Sequence, residues 1–94
     1  MSQEFTTYDT SEYLETEQDM IAYLDAAAEY NDPVLLQVAL GNVAKARGMS
    51  QIAKETGLGR ESLYKSLSRD GNPSYATILK VLKALGARIS IQAA

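Results

Sequence analysis

The chain has no cysteine and no histidine. It therefore cannot build a zinc site on thiolate or imidazole, a serine–histidine or cysteine–histidine nucleophile pair, a disulfide staple or a thiol redox centre. No apolar run approaches the length of a membrane span. The first residues, Met1 to Tyr8, lack the basic region and apolar core of a signal peptide. A small chain without disulfides suits a reducing compartment. The expectation is a cytoplasmic protein with no membrane association, no metal site and no cofactor. Its 94 residues make one domain's worth of chain, with room for one modest core of four or five short helices and little for a deep substrate cleft.

What is present is a division of charge. From Met1 to Asp32 the acids are Glu4, Asp9, Glu12, Glu15, Glu17, Asp19, Asp25, Glu29 and Asp32, with no base, so this stretch carries -9. From Pro33 onward the bases are Lys45, Arg47, Lys54, Arg60, Lys65, Arg69, Lys80, Lys83 and Arg88. Only Glu55, Glu61 and Asp70 oppose them, so this part carries +6. The net charge of -3 argues against nucleic-acid binding, and the division reverses that argument for the C-terminal two thirds. Lopsided charge can also simply solvate a face, and charge alone leaves both readings open.

The hydrophobic periodicity predicts an all-α chain. Phe5 to Tyr8 reads as extended, and Ser11 can cap a short turn holding Tyr13 and Leu14. Thr16 with Asp19 resembles a capping box and opens a helix to about Tyr30. Its stripe is Ile21, Leu24 and Ala28, with Met20 and Ala27 beside it. Asp32-Pro33 starts a second helix that runs to about Arg47, buries Leu36, Leu40, Val43 and Ala44, and stops at Gly48. Ser50 caps a short helix to Thr56. The turn Gly57-Leu58-Gly59 follows, then a helix from Arg60 to about Ser68. Pro73 or Ser74 starts the last helix, with Ile78, Leu79, Leu82 and Leu85 as its core face and Gly86 at its end. Ala87 to Gln92 alternates apolar and polar residues, which predicts a short C-terminal β-strand. The organisation expected is one domain over residues 1–94: an acidic segment at 1–32, a helical core at 33–86 and the strand at 87–94.

Two short helices joined by a glycine-containing turn are the helix-turn-helix signature. Ala53 is small enough for the helices to cross closely. Gly57, four residues later, stands where the turn needs positive φ. Leu58 plugs the turn, and Leu63 and Leu67 anchor the second helix. Arg60, Glu61, Ser62, Tyr64, Lys65, Ser68 and Arg69 then point outward as donors for base edges and phosphates. Arg60, Ser62, Tyr64 and Lys65 are expected on base edges, and Lys54, Ser68 and Arg69 on phosphates. Ser50, Gln51 and Glu61 complete the candidate DNA-binding set. Of the six tyrosines, only Tyr64 is placed to touch DNA, and most of them read as half-buried packing residues.

The stretch Met49 to Leu67 (MSQIAKETGLGRESLYKSL), then Gly71 to Ser74 and Leu79 to Gly86, resembles the Cro/lambda-repressor-type helix-turn-helix, although the motif's first helix reads shorter here. With Glu12 to Leu14, Ile21 to Leu24 and Asp32-Pro33 upstream, the pattern from Tyr8 to Ile91 is similar to the probable addiction-module antidote proteins, the HigA-like antitoxins of type II toxin–antitoxin pairs. The resemblance implies a five-helix repressor-like domain with two activities. One is binding operator DNA, in the promoter of the protein's own operon. The other is silencing a cognate basic toxin of RelE/ParE type.

A homodimer on a palindromic site is expected, because one short recognition helix reads few base pairs. The predicted strand would pair with its copy or with the toxin. The toxin-binding residues expected are Tyr13, Leu14, Glu17, Asp19, Tyr23, Asp25 and Glu29, the acids steering association and the apolar neighbours anchoring it. Glu12, Glu15 and Asp19 fall at helical spacing, but with no base or apolar pocket they read as a solvated face, and no catalysis is expected. After Gly57-x-Gly59 no glycine stands directly before Lys65-Ser66, so the pattern of a phosphate loop is not met. Two alternatives remain open: a stand-alone repressor without a toxin, and an interaction module that no longer binds DNA.

Overall fold

A computed structural model describes residues 16–94 of the protein. The expectations placed on Phe5 to Tyr8, on the Ser11 turn and on Tyr13 and Leu14 lie outside the described residues. Within them the regular structure is five helices: α1 (Glu17–Ala28), α2 (Pro33–Arg47), α3 (Met49–Thr56), α4 (Arg60–Ser66) and α5 (Tyr75–Ala84). α1 packs on α2. α3 sits at the centre of the remainder, against α2, α4 and α5.

The helix starts follow from local chemistry. Thr16 Oγ1 accepts the Asp19 N–H at 3.0 Å and caps α1. Asp32 Oδ1 accepts the N–H groups of Val34 and Leu35 at 2.9 and 3.3 Å, and Pro33 occupies the first turn of α2, where its missing donor costs nothing. Ser74 Oγ accepts the Thr77 N–H at 3.1 Å and caps α5. α3 departs from expectation. Its N-cap is Gly48, at φ 106°, and no side chain caps it. Ser50 is therefore an exposed first-turn residue and not a cap. The buried Met49 draws the helix start back to itself, so α3 is longer than its sequence suggested. α4 ends at Ser66, short of the expected Ser68.

The core is formed by Met20, Leu24 and Ala27 of α1, Ala39, Leu40, Val43 and Ala44 of α2, Met49 and Ile52 of α3, Leu63 and Leu67 around α4, and Val81 and Leu85 around α5. α1 is rotated from its expected phase: Met20, Leu24 and Ala27 are buried, and Ile21 and Ala28 face solvent. Apolar residues at 20, 21, 27 and 28 permit either phase. The one adopted turns Tyr23 toward α2, where its Oη accepts from Asn42 Nδ2 at 3.0 Å. On α5, Val81 is buried and Leu79 is exposed. Tyr30 and Tyr75 are also exposed, at 62% and 71%, against the expectation of half-buried packing.

The C-terminal strand is not formed. α5 closes in a Schellman turn: Gly86 at φ 79° donates to Lys83 O, and Ala87 donates to Leu82 O at 2.8 Å. Residues 87–94 then carry no regular structure. The alternating pattern is real, but no strand among the described residues offers a ladder partner, and a lone strand cannot satisfy its own backbone groups. Ile89 and Ile91 are left 45% and 89% exposed. Among the described residues no helix is long and apolar enough to cross a membrane.

Candidate functional site

α4 has seven residues, too few to hold a helix in isolation. Its geometry comes from its neighbours. Gly57 at φ 73° and ψ 14° takes the left-handed conformation that ends α3, which an L side chain would strain. Leu58 is half-buried against the core and fixes the turn. Leu63 and Leu67 are 1% and 3% exposed and pin α4 from beneath. That phase leaves Arg60, Glu61, Ser62, Tyr64, Lys65, Ser68 and Arg69 all exposed, as the spacing predicted.

Several of these side chains have partners already. The Arg60 guanidinium lies over the Tyr64 ring, 5.5 Å from its centroid, one helical turn away. Stacking of this kind at an exposed site contributes about 0.5–1 kcal/mol and limits where the guanidinium can go. Glu61, Ser62, Tyr64 and Lys65 line a shallow, open depression on the same face. Ser68 Oγ donates to Lys65 O at 2.7 Å, so its proton is used within the turn. On α3, Ser50 and Lys54 are exposed, and Gln51 Nε2 donates to Glu55 Oε2 at 2.7 Å.

The far end of α4 is held by residues that sequence reasoning passed over. Ser68 O accepts the Gly71 N–H at 3.0 Å, closing a turn with Arg69 and Asp70 at its tip. Gln37 of α2 reaches this turn, and its Nε2 donates to Ser68 O at 2.6 Å and to Gly71 O at 2.8 Å. One helical turn on, Gly41 lets α2 approach the end of α4, since a Cβ there would stand 2.9 Å from Leu67 O. At Gly71 the carbonyl oxygens of Lys65 and Ser66 occupy the space a Cβ would need. No local sequence signal marks Gln37, because its partners lie 31 and 34 residues away.

On α1 the structure separates the residues that the sequence grouped. Asp19, Asp25 and Glu29 are exposed. Glu17 is exposed too, but its carboxylate lies against Gly86 at the end of α5, with Oε2 2.5 Å from where a Cβ would sit. Tyr23 is half-buried in the seam with α2. Among the described residues no group of three or more acidic, histidine or cysteine side chains could hold a metal ion.

An uncharacterised protein of Haemophilus influenzae is 41% identical over 92 residues, which is 98% of this chain and 95% of that relative. No solved structure matches. Residues 4–93 match the model of a family described as "probable addiction module antidote protein", and with nearly its whole length inside that match, the chain belongs to that family.

Proposed function

We propose that the protein is the antitoxin of a type II toxin–antitoxin pair: a single helix-turn-helix domain that represses its own operon by binding operator DNA through α4 and neutralises a basic RelE/ParE-like toxin through its acidic N-terminal third. Membership of an antidote family supports a regulatory, non-enzymatic role and a toxin as partner. DNA binding rests chiefly on one observation. The face that α4 turns to solvent carries Arg60, Ser62, Tyr64 and Lys65, while Leu63 and Leu67 on its other face are buried. A recognition helix needs this division, with an apolar anchor below and donors for base edges above.

The surfaces for the two partners differ in sign. Asp19, Asp25 and Glu29 present an acidic face on α1, which suits a basic protein and repels phosphate. α4 and its flanks present Arg60, Lys65 and Arg69. A recognition helix of seven residues reads only a few base pairs, so two copies on a palindromic operator supply affinity and length. The apolar residues for self-association include Leu79, Ile89 and Ile91, all exposed in the single chain.

The test is a gel shift with the DNA upstream of the protein's own gene. Wild type should retard it, and Arg60→Ala with Lys65→Ala should abolish specific retardation with the helical content unchanged. Co-expression with the product of the neighbouring gene should relieve that product's toxicity. Unchanged operator affinity in the double variant would remove α4 as the recognition helix.

A further inference from the structure

The turn after α4 is held by a residue 31 positions before it. The Gln37 amide donates one N–H to Ser68 O at 2.6 Å and the other to Gly71 O at 2.8 Å. Ser68 and Gly71 are the first and last residues of the turn, and their own backbone bond, Gly71 N–H to Ser68 O at 3.0 Å, closes it. One side-chain amide thus ties both ends of a four-residue loop to α2. Two carbonyl acceptors can be served only by the NH2 end of the amide, which fixes its orientation. Gly41, the next residue along the same row of α2, brings that helix within 2.9 Å (Cβ position to Leu67 O) of the residue just before the turn. The Gly71 position admits no side chain. What the clamp leaves outward is the tip, Arg69 and Asp70, both exposed.

We infer that Gln37 is a positioning residue for nucleic-acid binding: it holds the Ser68–Gly71 turn so that Arg69 meets a backbone phosphate beside the groove entered by α4. The inference rests on the DNA-binding reading above and adds a residue with no place on the interface. A flexible tip carrying Arg69 next to Asp70 would pay the ordering cost at binding, with an acid free to approach the phosphate. A turn fixed at both ends sets where the Arg69 and Asp70 side chains leave the backbone, so less ordering remains to be done at binding.

The experiment is a double-mutant cycle on operator affinity, with Gln37→Met, Arg69→Ala and the pair, measured between 50 and 200 mM salt. Gln37→Met keeps length and removes both donors. Arg69→Ala is expected to weaken binding about three- to tenfold and to flatten the salt dependence by about one unit of slope, as for one lost phosphate contact. Gln37→Met should reproduce most of both effects and add little in the Arg69→Ala background. Additive losses, or an unchanged slope in Gln37→Met, overturn the inference, because a merely structural role would lower affinity without erasing the Arg69 contribution.

Amide exchange of Gly71 in the free protein is the second readout. It should accelerate in Gln37→Met while α1 and α5 amides are unaffected, and unchanged exchange overturns the clamp itself. If wild type binds no DNA while Gly71 exchange responds, the clamp stands and the DNA role of both Gln37 and α4 falls. Should Gln37→Met fail to fold, Gln37→Glu, which keeps the shape and sets a carboxylate against the two carbonyls, carries the same cycle. Failure of both to fold would make Gln37 a residue of the fold and overturn its assignment to binding.

Discussion

α1 and α4 are built on opposite plans. α1 has 12 residues, its own Thr16 cap, acids in its first turn and a full row of buried apolar residues against α2. α4 has seven residues, no side-chain cap, and a single fully helical anchor in Leu63, with Leu67 at its end. The first helix is fixed mostly by its own sequence and one neighbour. The second is fixed from outside, by the left-handed Gly57 before it and by Gln37, Gly41 and Gly71 around its far end. The lesson is that a short helix gets its aim from other segments, whereas a longer one can carry a charged face on its own authority. It follows that damage should spread differently from the two.

The largest effect is expected where α4 depends on one side chain. Leu63→Ala removes a side chain that is 1% exposed and should cost about 2–5 kcal/mol, since the packed surroundings close only partly over the gap. Urea unfolding measures it. Operator binding should weaken in parallel, because α4 loses its phase. A cost below about 1 kcal/mol would mean that α4 is not held from beneath.

Next come the glycines at the two ends of α4. Gly71→Ala places a methyl group on the carbonyl oxygens of Lys65 and Ser66, and Gly41→Ala brings one to 2.9 Å from Leu67 O. Each should cost about 1–3 kcal/mol, as overpacking does. Gly57→Ala meets open space and pays only for its φ of 73°, about 1–2 kcal/mol. If Gly57→Ala proves the worst of the three by thermal unfolding, backbone conformation and not close approach is what sets α4.

Function should divide along the same line. Reversing Asp19, Asp25 and Glu29 to Lys changes only exposed residues of α1 and its C-cap, so the fold and operator binding should persist while neutralisation of the toxin falls, mainly through slower association. Stopped-flow association at two salt concentrations reads this directly. Normal neutralisation by the triple variant would place the toxin contact elsewhere and leave the acidic face as a solvated surface.

The sequence made the helices legible where the signal was local. Asp32-Pro33, Thr16 with Asp19, and Gly57 each act within four residues of themselves, and each stands where its chemistry required. The outward set on α4 was legible because Leu63 and Leu67 fix the phase of a single turn. What escaped depends on distant partners. The rotation of α1 is settled in its packing against α2, where Met20, Leu24 and Ala27 are buried and Tyr23 meets Asn42, because its own apolar residues permit two phases. Gln37 has no local reason to matter. The tail from Ala87 carries a strand's alternation but, among the described residues, no second strand to pair with.

The smallest effects separate a cap that is made from one that the sequence only suggested. Thr16 and Ser50 look alike as helix starters. Thr16 Oγ1 accepts a backbone N–H at 3.0 Å, whereas α3 begins at Met49 with Gly48 as its cap and no side-chain bond. Thr16→Ala should therefore cost about 1 kcal/mol. Ser50→Ala should stay within about 0.5 kcal/mol of wild type, as an exposed substitution that breaks no bond, with a slight gain open to it because alanine favours helix interiors. Chemical denaturation of the two single variants and their pair measures both, and the pair should be additive because the sites share no partner. An equal cost for the two would mean that Ser50 caps α3 after all and that the helix starts at Gln51. Gly48 would then serve only as the end of α2, and the tight junction that carries the chain into α3 would loosen by two residues.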